Sequence, residues 1–241
     1  MAEKKLPPIG VFLVWGQKGA GKTIFGLTSP YRPVLVLDTE RSSYVYHAKQ
    51  LFDFERKDCL DWQTFVKEVK GIQEGQYGTI VVDTAGQVGE WVAEHKFQEA
   101  GKRAESQSTR IWGEVRSMIR NLLFSLMKKA QIVVLTAHAR VDYHAMRQKI
   151  ARYEPRLNPT FQELVDVSVE MGRADNQKVP YGVIGERDRS LSLPPKVEPC
   201  TWEKLLGYLL EQPADWQNLK PEEVAPERLY IDPSANTEEI G

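Results

Sequence analysis

The stretch IGVFLVWGQKGAGKTIFGLTSPYRPVLVLDTE, residues 9–40, decides the fold of this 241-residue chain. An apolar run leads into a glycine-rich loop, a helix-compatible segment follows, and a second apolar run ends at Asp38 and Glu40. Residues 16–23 fit the pattern G-x-x-x-x-G-K-[ST], which needs a strand before it and a helix after it. Both are predicted here, so the stretch indicates a phosphate-binding loop.

The residue types in this loop suit the binding of a polyphosphate. Glycines at positions 16, 19 and 21 let backbone N–H groups turn inward, where side chains would obstruct the approach. Lys22 can reach the terminal phosphates, and the Thr23 hydroxyl can complete the shell of a Mg²⁺ ion. The helix that begins here adds the positive end of its dipole. We therefore predict a nucleotide site formed by Gly16, Gln17, Lys18, Gly19, Ala20, Gly21, Lys22, Thr23 and Ile24.

Composition and charge limit the classes of function that remain. The formal net charge is −1 with 41% hydrophobic and 27% charged residues, which is ordinary for a globular protein, so any polyanion site must be a local patch. Cys59 and Cys200 are too few for a disulfide framework or a thiolate zinc site. No signal-peptide core or membrane-length apolar run is present. We expect a cytoplasmic protein without a membrane partner.

The order of the predicted elements indicates an α/β fold. Short β-branched runs predict buried strands, and apolar residues at helical spacing predict helices between them. The strands are the run before Gly16, Val34–Leu37, Thr79–Asp83 and Ile132–Thr136. Strands that alternate with helices in this way form a mostly parallel sheet covered by helices on both faces.

The remainder of the chain predicts a sheet edge and two terminal segments. Val179–Ile184 and Ser190–Leu193 are typical of an antiparallel edge hairpin with residues 185–189 as its turn. From residue 211 onward the chain is acidic and contains four prolines, which favours an extended segment. We predict an N-terminal tail at 1–8, one domain at 9–210 and a C-terminal extension at 211–241.

Polar residues end each predicted strand, where parallel α/β sheets bind their ligands. Asp83 suits direct or water-mediated binding of Mg²⁺. Glu40 could polarise the attacking water as a general base, and His138 could donate a hydrogen bond to the γ-phosphate. We expect the strand-end residues to meet at one site, and they are Asp38, Glu40, Asp83, Thr84, Thr136 and His138.

These motifs resemble those of the RecA-like ATPases. The segment 34–40 is similar to that family's second strand with its catalytic glutamate, 79–84 to its Walker B strand, and His138 stands where the family has a nucleotide-sensing residue. Residues 111–115, 136–138 and 157–173 bring the resemblance closest to the small phage-type RecA-like ATPases of single-strand annealing and recombination. Thr84 follows Asp83 in place of a glutamate, which argues against the AAA+ branch.

A second motif favours a different class of protein. Asp83-Thr-Ala-Gly-Gln87 reproduces the D-x-x-G switch of small GTPases, and Gln87 would then orient the attacking water. The guanine-reading segment N/T-K-x-D lacks its lysine and spacing in residues 136–142. A GTP-dependent switch that acts on a protein partner, and an ATP-binding regulator with negligible hydrolysis, stay open as alternatives.

Basic and aromatic residues follow the fourth strand, and cations beside aromatic rings suit single-stranded nucleic acid. The resemblance implies that this segment binds DNA, which makes single-stranded DNA the expected partner. The residues concerned are Arg140, Tyr143, Arg147, Lys149 and Arg152.

The resemblance also implies a ring or filament of identical subunits. In such assemblies, basic residues near an edge hairpin reach the γ-phosphate of the neighbouring subunit. Arg187 and Arg189 are the candidates for this catalytic role, beside Lys22, Glu40 and His138. We thus expect an ATPase that uses ATP and Mg²⁺, is stimulated by DNA and assembles into a homo-oligomer.

Overall fold

The computed structural model describes residues 10–101, 107–141, 153–173, 180–188 and 193–210. Nine strands are present in these residues, and six of them run parallel in one sheet. The strands are β1 (Val11–Gly16), β2 (Val34–Asp38), β3 (Glu55–Asp58), β4 (Tyr77–Asp83), β5 (Ala130–Val141), β6 (Tyr153–Pro155), β7 (Val167–Gly172), β8 (Tyr181–Asp188) and β9 (Lys196–Val197).

Seven helices in the described part of the chain connect and cover these strands. They are α1 (Lys22–Leu27), α2 (Tyr44–Ala48), α3 (Trp62–Gly71), α4 (Ala85–Ala100), α5 (Ser108–Lys129), α6 (Pro159–Leu164) and α7 (Trp202–Leu210). Local signals account for several of their starts. The Asp61 carboxylate accepts the Thr64 N–H at the start of α3, and the Asn158 side chain accepts the Thr160 N–H at the start of α6.

The sheet has the strand order β3-β2-β4-β5-β1-β7-β8-β9, with β6 paired to the end of β5. Pairing is parallel from β3 through β7, whereas β8, β9 and β6 pair antiparallel. The predicted fold class, a mostly parallel α/β sheet with antiparallel strands at its edge, is therefore confirmed.

Both faces of the sheet are buried, and they contribute to two separate cores. Along β1, Leu13 packs with one core and Phe12 with the other, because successive side chains of a strand point to opposite faces. Helices α3, α4, α5 and α6 cover the first core, and α1 and α7 cover the second. This two-sided burial explains why the strands are continuous apolar runs.

The sheet edges differ from the sequence analysis in two places, one a strand without a prediction and one a turn whose prediction is wrong. Strand β3 was not predicted, because Glu55-Arg-Lys-Asp58 has no apolar residue and pairs only with β2 at the edge. The predicted turn at residues 185–189 is wrong for residues 185–188, since β8 continues to Asp188 and pairs with β7. The hairpin partners of β8 are β7 and β9, and residues 189–192 lie outside the described part of the chain.

The four predicted strands are confirmed with helices between them, although β5 runs five residues beyond Thr136. The terminal segments 1–8 and 211–241 lie outside the described residues, so the domain boundaries stay predictions. In the part of the chain that the structure describes, no helix has the length and apolar character to cross a bilayer.

Candidate active site

The register of the parallel strands brings the predicted site residues to one edge of the sheet. Gly16 at the end of β1 is level with His138 on β5, and Asp38 at the end of β2 is level with Asp83 on β4. The loops that leave these strand ends therefore face the same space beyond the sheet.

The glycine loop after β1 is shaped by close packing and by left-handed backbone geometry. A Cβ atom on Gly16 would lie 2.2 Å from the Met171 carbonyl oxygen on β7, so no side chain fits at this position. Gly21, which precedes α1, has a φ of 102°, a conformation that favours glycine. Between them, Gln17, Lys18 and Gly19 are exposed, while Ala20 is buried. Thr23 and Ile24 follow in α1 and are partly buried.

The Lys22 side chain curls back over this loop. Its ammonium donates hydrogen bonds of 3.0 Å to each of the carbonyl oxygens of Gly16 and Gln17, and the residue is only 7% exposed. Burial lowers the pKa of Lys22, and the nearby carboxylates of Asp83 and Glu40 oppose that shift. The cation is thus held at the loop by neutral carbonyl groups, which a phosphate oxygen can replace as its partner.

Asp83 is the centre of a cluster of hydroxyl groups. Its Oδ2 atom accepts hydrogen bonds from Thr23 at 2.8 Å and from Ser42 at 2.5 Å, and its Oδ1 atom accepts one from Thr136. Asp83 and Thr136 are almost fully buried. Carboxylate and hydroxyl oxygens are hard donors of the kind that Mg²⁺ prefers, so the donor set fits that ion.

A metal site built from several charged or imidazole side chains has no support in the described residues. Within the described residues, no group of three or more His, Cys, Asp and Glu side chains is arranged to hold a metal ion. A cation at Asp83 would therefore take the rest of its shell from a ligand and water, as Mg²⁺ does in nucleotide sites.

Glu40 is held between two partners, His138 and Thr84. Its Oε2 atom lies 2.9 Å from His138 Nε2, and its Oε1 atom accepts a 3.0 Å hydrogen bond from the Thr84 hydroxyl. The hydrogen bond from His138 lowers the pKa of Glu40, burial opposes this, and the charge of Arg156 adds a smaller lowering. Glu40 is therefore an ionised carboxylate directed at the strand-end space.

A buried carboxylate supports the turn that presents Glu40. Asp38 is fully buried and accepts hydrogen bonds from the backbone N–H groups of Glu40, Ser42 and Ser43 and from the Ser43 hydroxyl. Arg56 on β3 donates to the same carboxylate through Nε at 2.9 Å. Together these hydrogen bonds fix the path of the backbone after β2.

The structure thus brings together the strand-end residues that sequence reasoning selected, and adds two groups that it missed, Ser42 and Arg56. Ser42 contacts Asp83, and the Asp38–Arg56 pair holds the turn. Neither Ser42, two positions after Glu40, nor Arg56, in a charged edge segment, belongs to a sequence motif that would indicate its contact. Gln87 of the competing switch motif lies in the first turn of α4, which begins at Ala85.

The predicted nucleic-acid residues are only partly within the described chain. Arg140 lies on the antiparallel β5–β6 stem and donates a 2.7 Å hydrogen bond to Glu154 on the opposite strand. Tyr143, Arg147, Lys149 and Arg152 lie outside the described residues, so their roles stay predictions.

Of the two arginines predicted to reach the γ-phosphate of a neighbouring subunit, Arg187 is separated from this site along the sheet. Arg187 lies in β8 next to Asp188, which pairs with Val167. Val167 is the first residue of β7, and Gly172 is its last residue. Since Met171 is level with Gly16, Arg187 is about four residues, ~13 Å, from the level of the phosphate loop. Arg189 lies outside the described residues.

A parallel sheet with a glycine loop after β1, Lys22 folded over it, and a carboxylate with Thr23 at its edge defines a P-loop NTPase. A family model described as an AAA domain matches residues 11–196, which is most of the chain. The chain belongs to this family of AAA-type P-loop ATPases. A search of curated proteins found no match.

The family match bears on the expectation drawn from Thr84. In the sequence, the absence of a glutamate after Asp83 argues against the AAA+ branch, and the match to an AAA domain does not support that interpretation. In the structure, Glu40 arrives from the neighbouring strand end and bonds the Thr84 hydroxyl, so a carboxylate stands beside that position.

Proposed function

We propose that this protein binds ATP with Mg²⁺, hydrolyses it, and acts on single-stranded DNA in recombination, annealing or repair. The family supplies the ATPase class. The observation that carries the proposal is the placement of Glu40 against His138 and Thr84, next to the Thr23–Asp83 pair. A base and a metal-binding pair beside a phosphate loop are the parts that phosphoanhydride hydrolysis needs.

The residues divide the chemistry between them. Lys22 neutralises charge on the terminal phosphates once its ammonium leaves the carbonyls of Gly16 and Gln17. Thr23 and Asp83 would hold Mg²⁺, and the ion would supply positive charge at the phosphate oxygens. Glu40 accepts a proton from the attacking water, which it can do while paired, because two ionised oxygens offer about four acceptor sites and two are used.

His138 reports the state of the phosphate site in this proposal. Its Nε2 atom bonds Glu40 at 2.9 Å, and it lies on β5 level with Gly16 of the phosphate loop. A γ-phosphate at the loop offers His138 an alternative acceptor, so bound ATP and product would leave Glu40 with different partners.

Glu40→Gln tests the hydrolytic step. We expect nucleotide binding to remain, because the amide keeps the size of the side chain, and turnover to fall by about 100-fold or more through loss of the base. Binding of a fluorescent ATP analogue and phosphate release would be measured with ATP and with GTP. Glu114→Gln on the exposed face of α5 is the matched control.

Retained turnover in Glu40→Gln would contradict the assignment of the base and direct attention to Gln87. Turnover of GTP in preference to ATP would favour the switch alternative. Binding of ATP by the wild-type protein with no turnover, with or without single-stranded DNA, would favour the non-hydrolysing regulator.

The proposal of a single-stranded DNA partner rests on the β5–β6 stem. Strand β5 continues past His138 to Val141, and β6 pairs with it from Tyr153, so the segment between them begins and ends beside the site. The Arg156 N–H donates a 2.7 Å hydrogen bond to the His138 carbonyl oxygen, which joins the far side of the stem to the sensing strand. Tyr153 on the stem is 46% exposed and could stack on a base.

Replacing Arg147, Lys149 and Arg152 together by alanine tests this partner. We expect weaker binding of single-stranded DNA and a logarithmic salt slope that is shallower by about 0.7 for each lost phosphate contact. The control removes the same charge elsewhere by replacing Lys70, Arg116 and Arg120, which are exposed on α3 and α5. A salt slope equal to that of the wild-type protein would remove DNA from the proposal.

The same proposal includes a ring or filament of identical subunits. Arg187 lies about 13 Å along the sheet from the level of its own phosphate loop, which is too far for it to serve that site. A catalytic role for Arg187 would therefore have to be exerted on a neighbouring subunit.

A further inference from the structure

Two hydroxyl groups from different elements converge on one oxygen atom of Asp83. Thr23 in α1 donates to Oδ2 at 2.8 Å, and Ser42 in the turn after β2 donates to the same atom at 2.5 Å. Their oxygens cannot lie further apart than the sum of these two distances, about 5.3 Å. Two ligands of one Mg²⁺ ion are about 3 Å apart when adjacent and about 4 Å apart when opposite.

Ser42 is oriented toward Asp83 by its own backbone. Its N–H donates a 3.0 Å hydrogen bond to Asp38 Oδ1, and the next residue, Ser43, bonds the other oxygen of Asp38 through both its N–H and its hydroxyl. Arg41, just before Ser42, has a φ of 58°, which turns the chain sharply at this point. The backbone of Ser42 is therefore held by Asp38, and its hydroxyl points to Asp83.

The Ser42 hydroxyl is also accessible and has free acceptor capacity. Ser42 is an exposed residue, whereas Asp83 and the third hydroxyl partner, Thr136, are buried. Because the hydroxyl gives its proton to Asp83, its lone pairs remain for a cation. Thr136 bonds the other carboxylate oxygen, Oδ1, from within the sheet, so it stands on the protein side of Asp83.

We propose that Ser42 is a residue of the divalent-cation site, and that its hydroxyl oxygen joins the shell of the ion beside Thr23. The inference rests on the proposed binding of ATP with Mg²⁺ and deepens it. Protein donors for this ion are few, since the described residues contain one carboxylate and hydroxyls at this position and no cluster of three charged or imidazole ligands. The loss of one oxygen donor should therefore be measurable.

Ser42→Ala and Ser42→Thr separate the hydroxyl from the rest of the side chain. Both should fold, because Ser42 is exposed and its bond to Asp38 uses the backbone N–H. Ser117→Ala, an exposed position on α5, is the matched control. The affinity of each protein for a fluorescent ATP analogue would be measured in EDTA and across a Mg²⁺ titration, and Mn²⁺ binding would be followed by electron paramagnetic resonance.

We expect Ser42→Ala to bind the analogue in EDTA within twofold of the wild-type protein, and to need about tenfold more Mg²⁺ or Mn²⁺ for the metal-dependent increase. Ser42→Thr and Ser117→Ala should match the wild-type protein. A metal requirement of Ser42→Ala equal to that of the wild-type protein would overturn the proposal. An equal loss of affinity with and without metal would overturn it as well, because that loss would come from the turn.

The proposed function fails by a different result. If the wild-type protein bound no ATP analogue under any of these conditions, the nucleotide site itself would be wrong. A metal-dependent wild-type protein with a normal Ser42→Ala variant would leave the nucleotide site intact and remove only Ser42 from the metal site.

Discussion

The contact between Glu40 and His138 sets the protonation state of the proposed base. A carboxylate that acts as a base must be ionised, and the hydrogen bond from His138 lowers the pKa of Glu40 more than burial raises it. Three other groups act on Glu40: Thr84 donates a hydrogen bond, Arg156 adds positive charge, and Lys22 interacts electrostatically with it. Glu40 therefore remains a carboxylate at pH values below its usual range.

This contact predicts the pH dependence of a His138→Ala variant. With the pKa of Glu40 lowered in the wild-type protein, activity is present above that pKa and is lost as the pH falls through it. Removal of His138 takes away the largest cause of the lowering, so the acid limb of kcat/KM should move to higher pH. His95→Ala is the control, because His95 pairs with Glu99 on the surface of α4. An acid limb at the wild-type pH would contradict this coupling.

At the scale of elements, strand β3 at the edge of the sheet supports the turn that follows β2. Arg56 crosses from β3 to the fully buried Asp38, and it is itself almost buried. Its two terminal nitrogens bond Asp58 on the same strand, so one guanidinium joins two carboxylates. The short charged strand thus holds the buried Asp38 in place through Arg56, although it lies at the edge of the sheet.

We predict that Arg56→Ala destabilises the protein by about 3 kcal/mol, because it leaves the Asp38 charge buried without its cation. Lys57→Ala on the same strand should cost less than about 1 kcal/mol, since Lys57 forms an exposed ion pair with Glu55. Urea unfolding of the two variants measures the difference. Equal free energies of unfolding would show that the turn hydrogen bonds alone support Asp38.

The elements also show what could be predicted from the sequence. Strands buried on both faces have continuous apolar runs, so β1, β2, β4 and β5 and the residues at their ends could be identified. Strand β3 is formed by its pairing with β2, and β8 extends because β7 offers an open edge, so neither boundary is determined by local residues. For the same reason, the contacts of Ser42 and Arg56 depend on tertiary approach and have no local pattern.

At the scale of the whole molecule, the parallel sheet places the phosphate loop and Arg187 toward opposite ends of the strands. The six parallel strands have their carboxyl ends on the side of the sheet where the site lies. Strand β8 runs in the opposite direction, so Arg187 near its carboxyl end lies toward the other side. A subunit that uses Arg187 catalytically must therefore present it to another copy.

Mixing two inactive variants tests this arrangement. Lys22→Ala should lose phosphate binding at its own site, and Arg187→Ala should lose the contribution to its neighbour. Mixed assemblies contain interfaces that pair an intact loop with an intact Arg187, so ATP turnover should reappear at about a quarter of the wild-type rate, if subunits assort at random. An Arg187→Ala protein with full DNA-stimulated turnover on its own would contradict the role.

The contact between Gly16 and β7 affects how variants of the phosphate loop are interpreted. Because the missing Cβ of Gly16 would collide with the Met171 carbonyl oxygen, even Gly16→Ala displaces the backbones of two central strands. An allele at this codon would reduce the amount of folded protein as well as nucleotide affinity, and its phenotype would not distinguish the two. Lys22→Ala changes one side chain and leaves the β1–β7 contact in place, which makes it the allele suited to separating catalysis from abundance in a cell.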